Sequence, residues 1–323
     1  MKPALIVATR GWNPHDWIAR IRPLLPERTL LATDPDGRFS GQEQALDEVH
    51  YALAWRPLPE TLDRLKNLRA IFSLGAGVDH ILSIPHLPRV PIVRVVDTDL
   101  TMRMREYVVW QALDHLRHGP TYRRQQREHV WREPDRHPTA EDVAVGIMGL
   151  GVMGASAAEA LQRLGFAVRG WSRTPKTLAG VETFPGAEGL AAFLAATDVL
   201  VVLLPLTPDT KGIINLKLMR GLRQTGPLGG AVVINAGRGG LQVEDDIVAA
   251  LREGILAGAS LDVFEEEPLP PENPLWDFDN VAITPHVAAV SDPQAIGVQI
   301  VRQIEAFERG EPLRNCVDPE RGY

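Results

Sequence analysis

The sequence predicts an α/β protein whose two domains are each built on a parallel sheet. Three observations carry that prediction. Short β-rich apolar runs alternate with helical patterns over nearly the whole chain, the signature of βαβ units. The chain has 323 residues, more than one core usually fills, so two domains are expected. A G-x-G-x-x-G loop, Gly149 to Gly154, stands between a buried-strand run and a helix-compatible stretch.

Composition narrows the function classes. With 45% hydrophobic and 23% charged residues the chain is ordinary for a folded protein, and disorder is excluded. A net charge of -7 gives no general attraction to nucleic acid or to anionic membranes, and neither is expected as a partner. The local run Arg123, Arg124, Arg127 reads as a solvated helix face or a subunit contact. The lone Cys316 leaves no intrachain disulfide and fits a reducing compartment. The longest apolar run, Val199 to Leu204, falls far short of the ~20 residues of a membrane span. A soluble cytoplasmic protein is the expectation.

The elements follow in chain order. "ALIVAT", too short for a signal sequence, reads as the first strand, and "YALAW" and "AIFSLGAG" as further strands, with a helical stretch "ETLDRLKNLR" between them. A long helix is predicted from about Thr101, stopping at Gly119-Pro120. The polar stretch from there to Asp142, with Pro134 and Pro138, is expected to be irregular. A second series supplies the strands "VAVGIM", "AVRGWS", "DVLVVLLP", "AVVINAG", "GASLDVF" and "VAITPH". The last helix, "QAIGVQIVRQIEAFERG", stops at Gly310 ahead of Pro312.

In the glycine loop, Gly149 permits the tight turn, Gly151 lets a pyrophosphate approach the backbone, and Gly154 lets helix and strand pack closely. The helix that follows, from Val152 and Met153, offers free N–H groups to phosphates. The end of the next strand separates the two nicotinamide cofactors. An NAD site usually places an acid there, about 20 residues on, for the ribose hydroxyls. Here Ser172, Arg173, Thr174 and Lys176 occupy the spot. Cations and hydroxyls suit a 2′-phosphate, so NADP is preferred, with NAD possible.

"SLGAGVDHI", "NAGRGG", "LDVFEEEPLP" and "TPHVAA", in that order with the glycine loop, resemble the D-isomer-specific 2-hydroxyacid dehydrogenases. The likeness spans essentially the whole chain. "FSLGAGVDHIL", "GWSRTPK", "PLPPENPLW", "ITPHVAA" and the terminal "RGY" are most like the glyoxylate/hydroxypyruvate reductase A group of that family. The resemblance implies two Rossmann-like or flavodoxin-like domains with a cleft between them. The substrate domain would comprise residues 1–99 plus 288–323, and the dinucleotide domain residues 100–287. It implies NADPH-dependent reduction of glyoxylate and hydroxypyruvate to glycolate and D-glycerate, by a homodimer.

Roles follow residue by residue from the same resemblance. Arg238 would hold the substrate carboxylate and polarise the carbonyl. His286 would give the carbonyl oxygen its proton, and Glu267, the glutamate directly before proline, would fix the imidazole tautomer. Those groups suit a reaction that builds negative charge on oxygen as hydride arrives. Asp262 would meet the nicotinamide carboxamide, and Pro205, ending its strand, would line the cofactor. Gly77 and Val78 would present backbone N–H groups to the substrate carboxylate. Trp55 would close a small-acid pocket, and Trp131 would reach toward a partner subunit. One departure is Gly237, where many relatives carry alanine; it implies extra backbone freedom beside Arg238.

Two rival functions stay open at this level: a reductase of larger 2-oxo acids in the same family, and a dinucleotide-sensing regulator without turnover. The complete Arg238, Glu267 and His286 set argues against the sensor. His115 and His118 sit at i, i+3 spacing without a third ligand, so no metal is expected.

Overall fold

In the computed structural model, which describes residues 2–290 and 292–322, the chain divides into two compact units. One comprises Met1–Leu100 with Ser291–Tyr323, the other Thr101–Val290. The terminal "RGY" ends in Tyr323, which lies outside the described residues.

The first unit alternates strands and helices: β1 (Ala4–Thr9), α1 (Pro14–Ile21), β2 (Leu30–Ala32), β3 (Val49–Trp55), α2 (Pro59–Asp63), β4 (Ala70–Ser73), α3 (Asp79–Leu82) and β5 (Ile92–Val93). Its sheet is parallel in the order β2-β1-β3-β4-β5. β1 is buried along its whole length, because a parallel sheet is covered on both faces. Asn13 starts α1 by accepting the His15 N–H at 3.1 Å, with Pro14 in the first turn. Arg28, with its side chain 1% exposed, donates from Nη2 to both Glu308 carboxylate oxygens at 2.9 Å and from Nη1 to the Pro3 carbonyl at 2.7 Å. That ties the start of the chain to its last helix.

The long helix α4 (Thr98–Leu116) leads into the second unit, followed by α5 (Gly119–Glu128), β6 (Ala144–Met148), α6 (Val152–Arg163), β7 (Ala167–Ser172), β8 (Glu182–Pro185), α7 (Gly186–Ala195), β9 (Val199–Val202), α8 (Leu216–Gly221), β10 (Ala231–Asn235), α9 (Glu244–Arg252), β11 (Leu256–Leu261) and β12 (Val281–Ile283). The chain then returns to the first unit as α10 (Pro293–Glu308). The second sheet, also parallel, runs β12-β11-β10-β9-β6-β7-β8. After β6 the chain winds outward through β7 and β8, then returns to β9 on the other side of β6. That reversal is a topological switch point, where α/β sheets bind ligands at the carboxyl ends of their strands. Leu200, Val202, Val233 and Leu261 enter one core layer, and Val145, Ile147, Val199 and Val201 the other.

The fold differs from the sequence expectation in several places. Gly119-Pro120 does end α4, with His118 in the left-handed region at φ 58°, but the same residues begin α5. Proline lacks an N–H that the first helical turn does not need, so one dipeptide stops one helix and starts another. Irregular chain is confined to the stretch after Glu128. Of "ETLDRLKNLR", only residues 60–63 are helical, as part of α2 (Pro59–Asp63). The strands β2, β5 and β8 are too short or too polar to stand out from their neighbours. Arg123 pairs with Asp114 at 2.8 Å, and Arg127 with Asp279. Among the described residues no helix is long and apolar enough to cross a membrane.

His115, on α4, is buried, its Nε2 2.9 Å from the Ser260 hydroxyl. His118 meets the Arg136 carbonyl instead, at 2.8 Å. Burial drives the His115 pKa down from 6.5 to about 4, with Asp114 opposing and Arg123 reinforcing. Protonation therefore favours the unfolded chain, where the ring titrates near 6.5. The stability contributed is complete above that value and is lost as pH falls toward 4. Between pH 7 and pH 5 the loss is about 2 kcal/mol. Denaturant titrations at both pH values should show His115→Gln losing less than the wild type by about that amount; identical losses would contradict the assignment.

Candidate active site

Apart from Trp131, the sequence-predicted residues of the second unit lie at the carboxyl ends of its strands, on the loops there or where those loops meet a strand or a helix. After β6 comes the glycine loop. Gly149 has φ +104°, and a Cβ there would sit 2.7 Å from the Leu203 carbonyl oxygen. A Cβ on Gly154 would stand 1.9 Å from the Gly149 oxygen, so close helix–strand packing demands glycine. Gly151 is different, since a Cβ there would meet nothing within 4 Å. The space beside it is open at the N-terminus of α6, where Val152 is exposed and Met153 half-buried. Free N–H groups and the helix dipole make that space suited to phosphate.

After β7 the loop carries the polar group read from the sequence. The Ser172 hydroxyl donates to the Thr174 carbonyl at 2.8 Å, so its role is to shape the turn. Lys176 donates from Nζ to the Leu150 carbonyl at 2.9 Å, which brings its ammonium against the glycine loop. Arg173 and Thr174 are exposed. No carboxylate follows Ser172 before Lys176. These residues fit a dinucleotide that carries an extra phosphate. After β9, the Pro205 carbonyl accepts from the Thr210 hydroxyl at 2.7 Å.

After β10 comes Arg238, half-buried, with Nη1 donating to the Gly237 carbonyl at 2.8 Å. The buried Asn235 side chain holds this turn, accepting from Gly237 N–H at 3.1 Å and donating to the Arg238 carbonyl at 3.2 Å. Asn235 also donates to Gln242 Oε1 at 2.8 Å, and Gln242 Nε2 donates to the Val263 carbonyl at 3.0 Å. Gly237 brings crowding rather than the expected looseness. A Cβ there would lie 2.8 Å from Leu241 and 3.0 Å from the Leu204 oxygen. A Cβ on Gly239 would be tighter still, 1.8 Å from the Phe264 oxygen.

The loops after β11 and β12 bring Glu267 and His286 together. His286 Nδ1 lies 3.1 and 3.0 Å from the two Glu267 carboxylate oxygens. Glu267 is itself oriented by the Phe264 N–H, which donates to Oε1 at 3.2 Å. The Glu265 backbone N–H donates to the Glu244 carboxylate at 3.0 Å. With Nδ1–H given to a carboxylate, Nε2 is the nitrogen left to exchange a proton with a ligand. Both side chains are partly exposed, 33% and 22%, so a small substrate can reach the ring.

His286 has φ 54°, a left-handed backbone that a non-glycine residue adopts only when its surroundings impose it. Asp262 supplies much of that constraint. Its carbonyl accepts the His286 N–H at 2.8 Å. Its carboxylate accepts the Val287 and Ala288 N–H groups, each at 2.9 Å, and the Thr284 hydroxyl at 2.6 Å. Burial pushes the Asp262 carboxyl above its usual value, while the bonds from Thr284, Ala288 and Val287 pull it down. Sequence reasoning missed Asn235, Gln242 and Thr284. All three are next to the residues it did find, but nothing in a linear pattern shows which polar side chain will be buried.

The first unit has its own cluster at the carboxyl ends of β1, β3 and β4. Trp55 ends β3 and stacks on Trp12, ring centroids 4.4 Å apart and planes 6° apart, with His80 at 4.6 Å on a tilted contact. A Cβ on Gly75 would fall 2.6 Å from the Trp55 ring, so the first glycine of "GAG" is required by the indole. The Ser73 hydroxyl donates to the Gly77 carbonyl at 3.1 Å and accepts from Gly75 N–H. The turn is fixed from within, and the amides of Gly77 and Val78 are used by no described acceptor. Trp12 escaped the sequence reading; its signal is its place just beyond the first strand. Trp131 is fully exposed, on chain with no regular secondary structure.

Comparisons with known proteins place this arrangement. The family model for the D-isomer specific 2-hydroxyacid dehydrogenase NAD binding domain matches residues 109–288. A glyoxylate/hydroxypyruvate reductase A from Escherichia fergusonii is 44% identical over 313 residues, covering 95% of this chain and 96% of the relative. The crystal structure of an NADPH-dependent glyoxylate/hydroxypyruvate reductase from Sinorhizobium meliloti, in complex with NADP and sulfate, superposes with a TM-score of 0.93 at 48% identity, covering 99% of this chain and 100% of that one. A probable 2-hydroxyacid dehydrogenase from Rhizobium etli, in complex with NADP, HEPES and L(+)-tartaric acid, gives 0.93 and 48%, with 100% of both chains covered. With its glycine loop and its carboxylate-paired histidine, this chain belongs to the D-isomer specific 2-hydroxyacid dehydrogenases and is an NAD(P)-dependent oxidoreductase.

Proposed function

We propose that the protein uses NADPH to reduce glyoxylate and hydroxypyruvate to glycolate and D-glycerate. The observation that carries this reading is the pairing of His286 Nδ1 with the Glu267 carboxylate at 3.0 Å, which reserves Nε2 for proton transfer. When bound, NADPH supplies the hydride for the 2-oxo carbon. Arg238 binds the substrate carboxylate and polarises the carbonyl beside it. His286 gives its Nε2 proton to the carbonyl oxygen as negative charge builds there, and takes it back in the reverse direction. Glu267 keeps the ring in one tautomer and stabilises its cationic form before transfer. Gly77 and Val78 contribute N–H groups to the substrate carboxylate, and Trp55 limits the room for larger acids.

For the cofactor, the Gly149–Gly154 loop with Val152 and Met153 takes the pyrophosphate. Arg173 and Lys176 take the 2′-phosphate, beside Ser172 and Thr174, while Pro205 and Asp262 lie along the nicotinamide side. In this reading residues 100–287 are the dinucleotide domain, and residues 1–99 with 288–323 the substrate domain. The protein acts as a homodimer in the cytoplasm, with the exposed Trp131 as a contact to the partner subunit. The NADP-bound relatives of similar sequence support the cofactor.

The test is kcat/KM for glyoxylate and hydroxypyruvate with NADPH and, separately, NADH. Strong preference for NADPH on both acids is expected. Turnover with NADH alone would remove the 2′-phosphate contact, and turnover only with longer 2-oxo acids would replace the substrate.

A further inference from the structure

Helix α4 carries a polar stripe at helical spacing. Tyr107, Gln111 and His115 follow one another at i, i+4 and i+8, and all are buried, at 6%, 1% and 8% exposure. Three buried polar side chains in one row need partners on the sheet they cover. Ser260 on β11 serves two of them, donating to Gln111 Oε1 at 2.7 Å and lying 2.9 Å from His115 Nε2. That group ends at Gln111, whose buried Nε2 meets no described acceptor. Tyr107 takes a different route, its hydroxyl 2.9 Å from Thr284 Oγ1, at the end of β12.

Donor counting gives this route a direction. An ionised carboxylate only accepts, and a threonine hydroxyl has one proton. Thr284 spends it on Asp262 Oδ1 at 2.6 Å, so the 2.9 Å contact must be Tyr107 donating to Thr284. The Asp262 carboxylate in turn receives the Val287 and Ala288 N–H groups, the two that follow His286. One line of hydrogen bonds therefore runs from a helix, through a hydroxyl and a carboxylate, to the loop that bears the imidazole. Burial pushes the Tyr107 phenol above its ordinary range, which keeps it a donor at any working pH.

We propose that Tyr107 is a positioning residue for His286, holding the Thr284–Ala288 loop through Thr284 and Asp262 in the left-handed turn that aims the ring. The proposal rests on the reading of His286 as the proton donor. Tyr107 touches no reacting atom in it. Its hydroxyl polarises Thr284, which tightens the short bond to Asp262 and so the two N–H bonds beyond. A loop held at φ 54° relaxes when its clamp is loosened. The loss should appear in the chemical step rather than in cofactor binding.

The test compares the full-length wild type with Tyr107→Phe, Thr284→Val, Thr284→Ser and the Tyr107→Phe/Thr284→Val double variant. Two readouts are taken: kcat on whichever 2-oxo acid the wild type reduces, and amide hydrogen exchange at Val287 and Ala288 in the free protein. Loss of one hydrogen bond corresponds to roughly a fivefold effect. Tyr107→Phe and Thr284→Val should each lower kcat about fivefold or more at unchanged KM for NADPH. Exchange at Val287 and Ala288 should rise by about the same factor, with β9 and β10 unchanged. The double variant should be no worse than Thr284→Val alone, and Thr284→Ser, which keeps the hydroxyl, should recover most of the loss.

Wild-type kcat in Tyr107→Phe, additive losses in the double variant, or faster exchange spread over the whole unit would each overturn the proposal. If the wild type reduces no 2-oxo acid, the functional reading fails. The exchange data then still decide: acceleration confined to Val287 and Ala288 upholds the positioning role, and unchanged exchange there overturns it.

Discussion

Replacing His286 with alanine should lower kcat by roughly 10²–10⁴ while leaving NADPH binding nearly intact. The size follows from the step it removes. Hydride arrival leaves an alkoxide, and without a donor in contact the proton must come from water that is neither oriented nor matched in acidity. The binding half is spared because the glycine loop and the Arg173–Lys176 segment stand on other strands, β6 and β7. Single-turnover reduction of glyoxylate, alongside direct titration of NADPH, separates the two effects. Wild-type turnover in the variant would remove His286 as the acid. A collapse of NADPH affinity would mean that the loop, rather than the imidazole, is what matters.

Arg173→Asp should weaken NADPH by about 10²-fold while changing NADH only a few-fold. A charge-assisted contact to phosphate is worth roughly 1.5–3 kcal/mol, and reversal adds repulsion to its loss. Arg173 is the informative position for a geometric reason. Lys176 is already committed to the Leu150 carbonyl, so its removal would disturb the glycine loop as well as any phosphate. Ser172 is committed to the Thr174 carbonyl. Arg173 is exposed, so a reversed charge there stays solvated. An aspartate there also restores the acid that favours ribose hydroxyls. Dissociation constants for both cofactors check the prediction, and equal losses for both would refute the phosphate contact.

Much of this was legible before any coordinates. The run "VAVGIM" is uniformly apolar because a central parallel strand is buried on both faces, and β6 lies there. The three glycines were assigned distinct physical roles from their spacing together with the strand-like run before them and the helix-compatible run after them. A Cβ would clash at Gly149 and at Gly154 and would meet open space at Gly151. Short edge elements were not legible. β2 and β5 span three and two residues, and a period cannot be read from so few. Gly119-Pro120 marked the end of α4 but hid the start of α5, because one residue type marks both helix ends and only the left-handed backbone at His118 shows where one helix gives way to the next.

The site divides along the same line. Arg238, Glu267 and His286 were singled out by the family resemblance of the motifs that carry them, because residue type alone leaves a histidine after an apolar strand ambiguous and does not choose among three consecutive glutamates. What ties them down was decided only when the strands were laid side by side. Asp262 and Thr284 are 22 residues apart, and Tyr107 and Thr284 are 177 apart. The parallel pairing of β11 with β12, and the packing of α4 beside them, are what bring those groups within hydrogen-bond distance. Local spacing encodes contacts within a turn or a helix face. A hydrogen bond between distant segments depends on register and burial, and those belong to the assembled sheet.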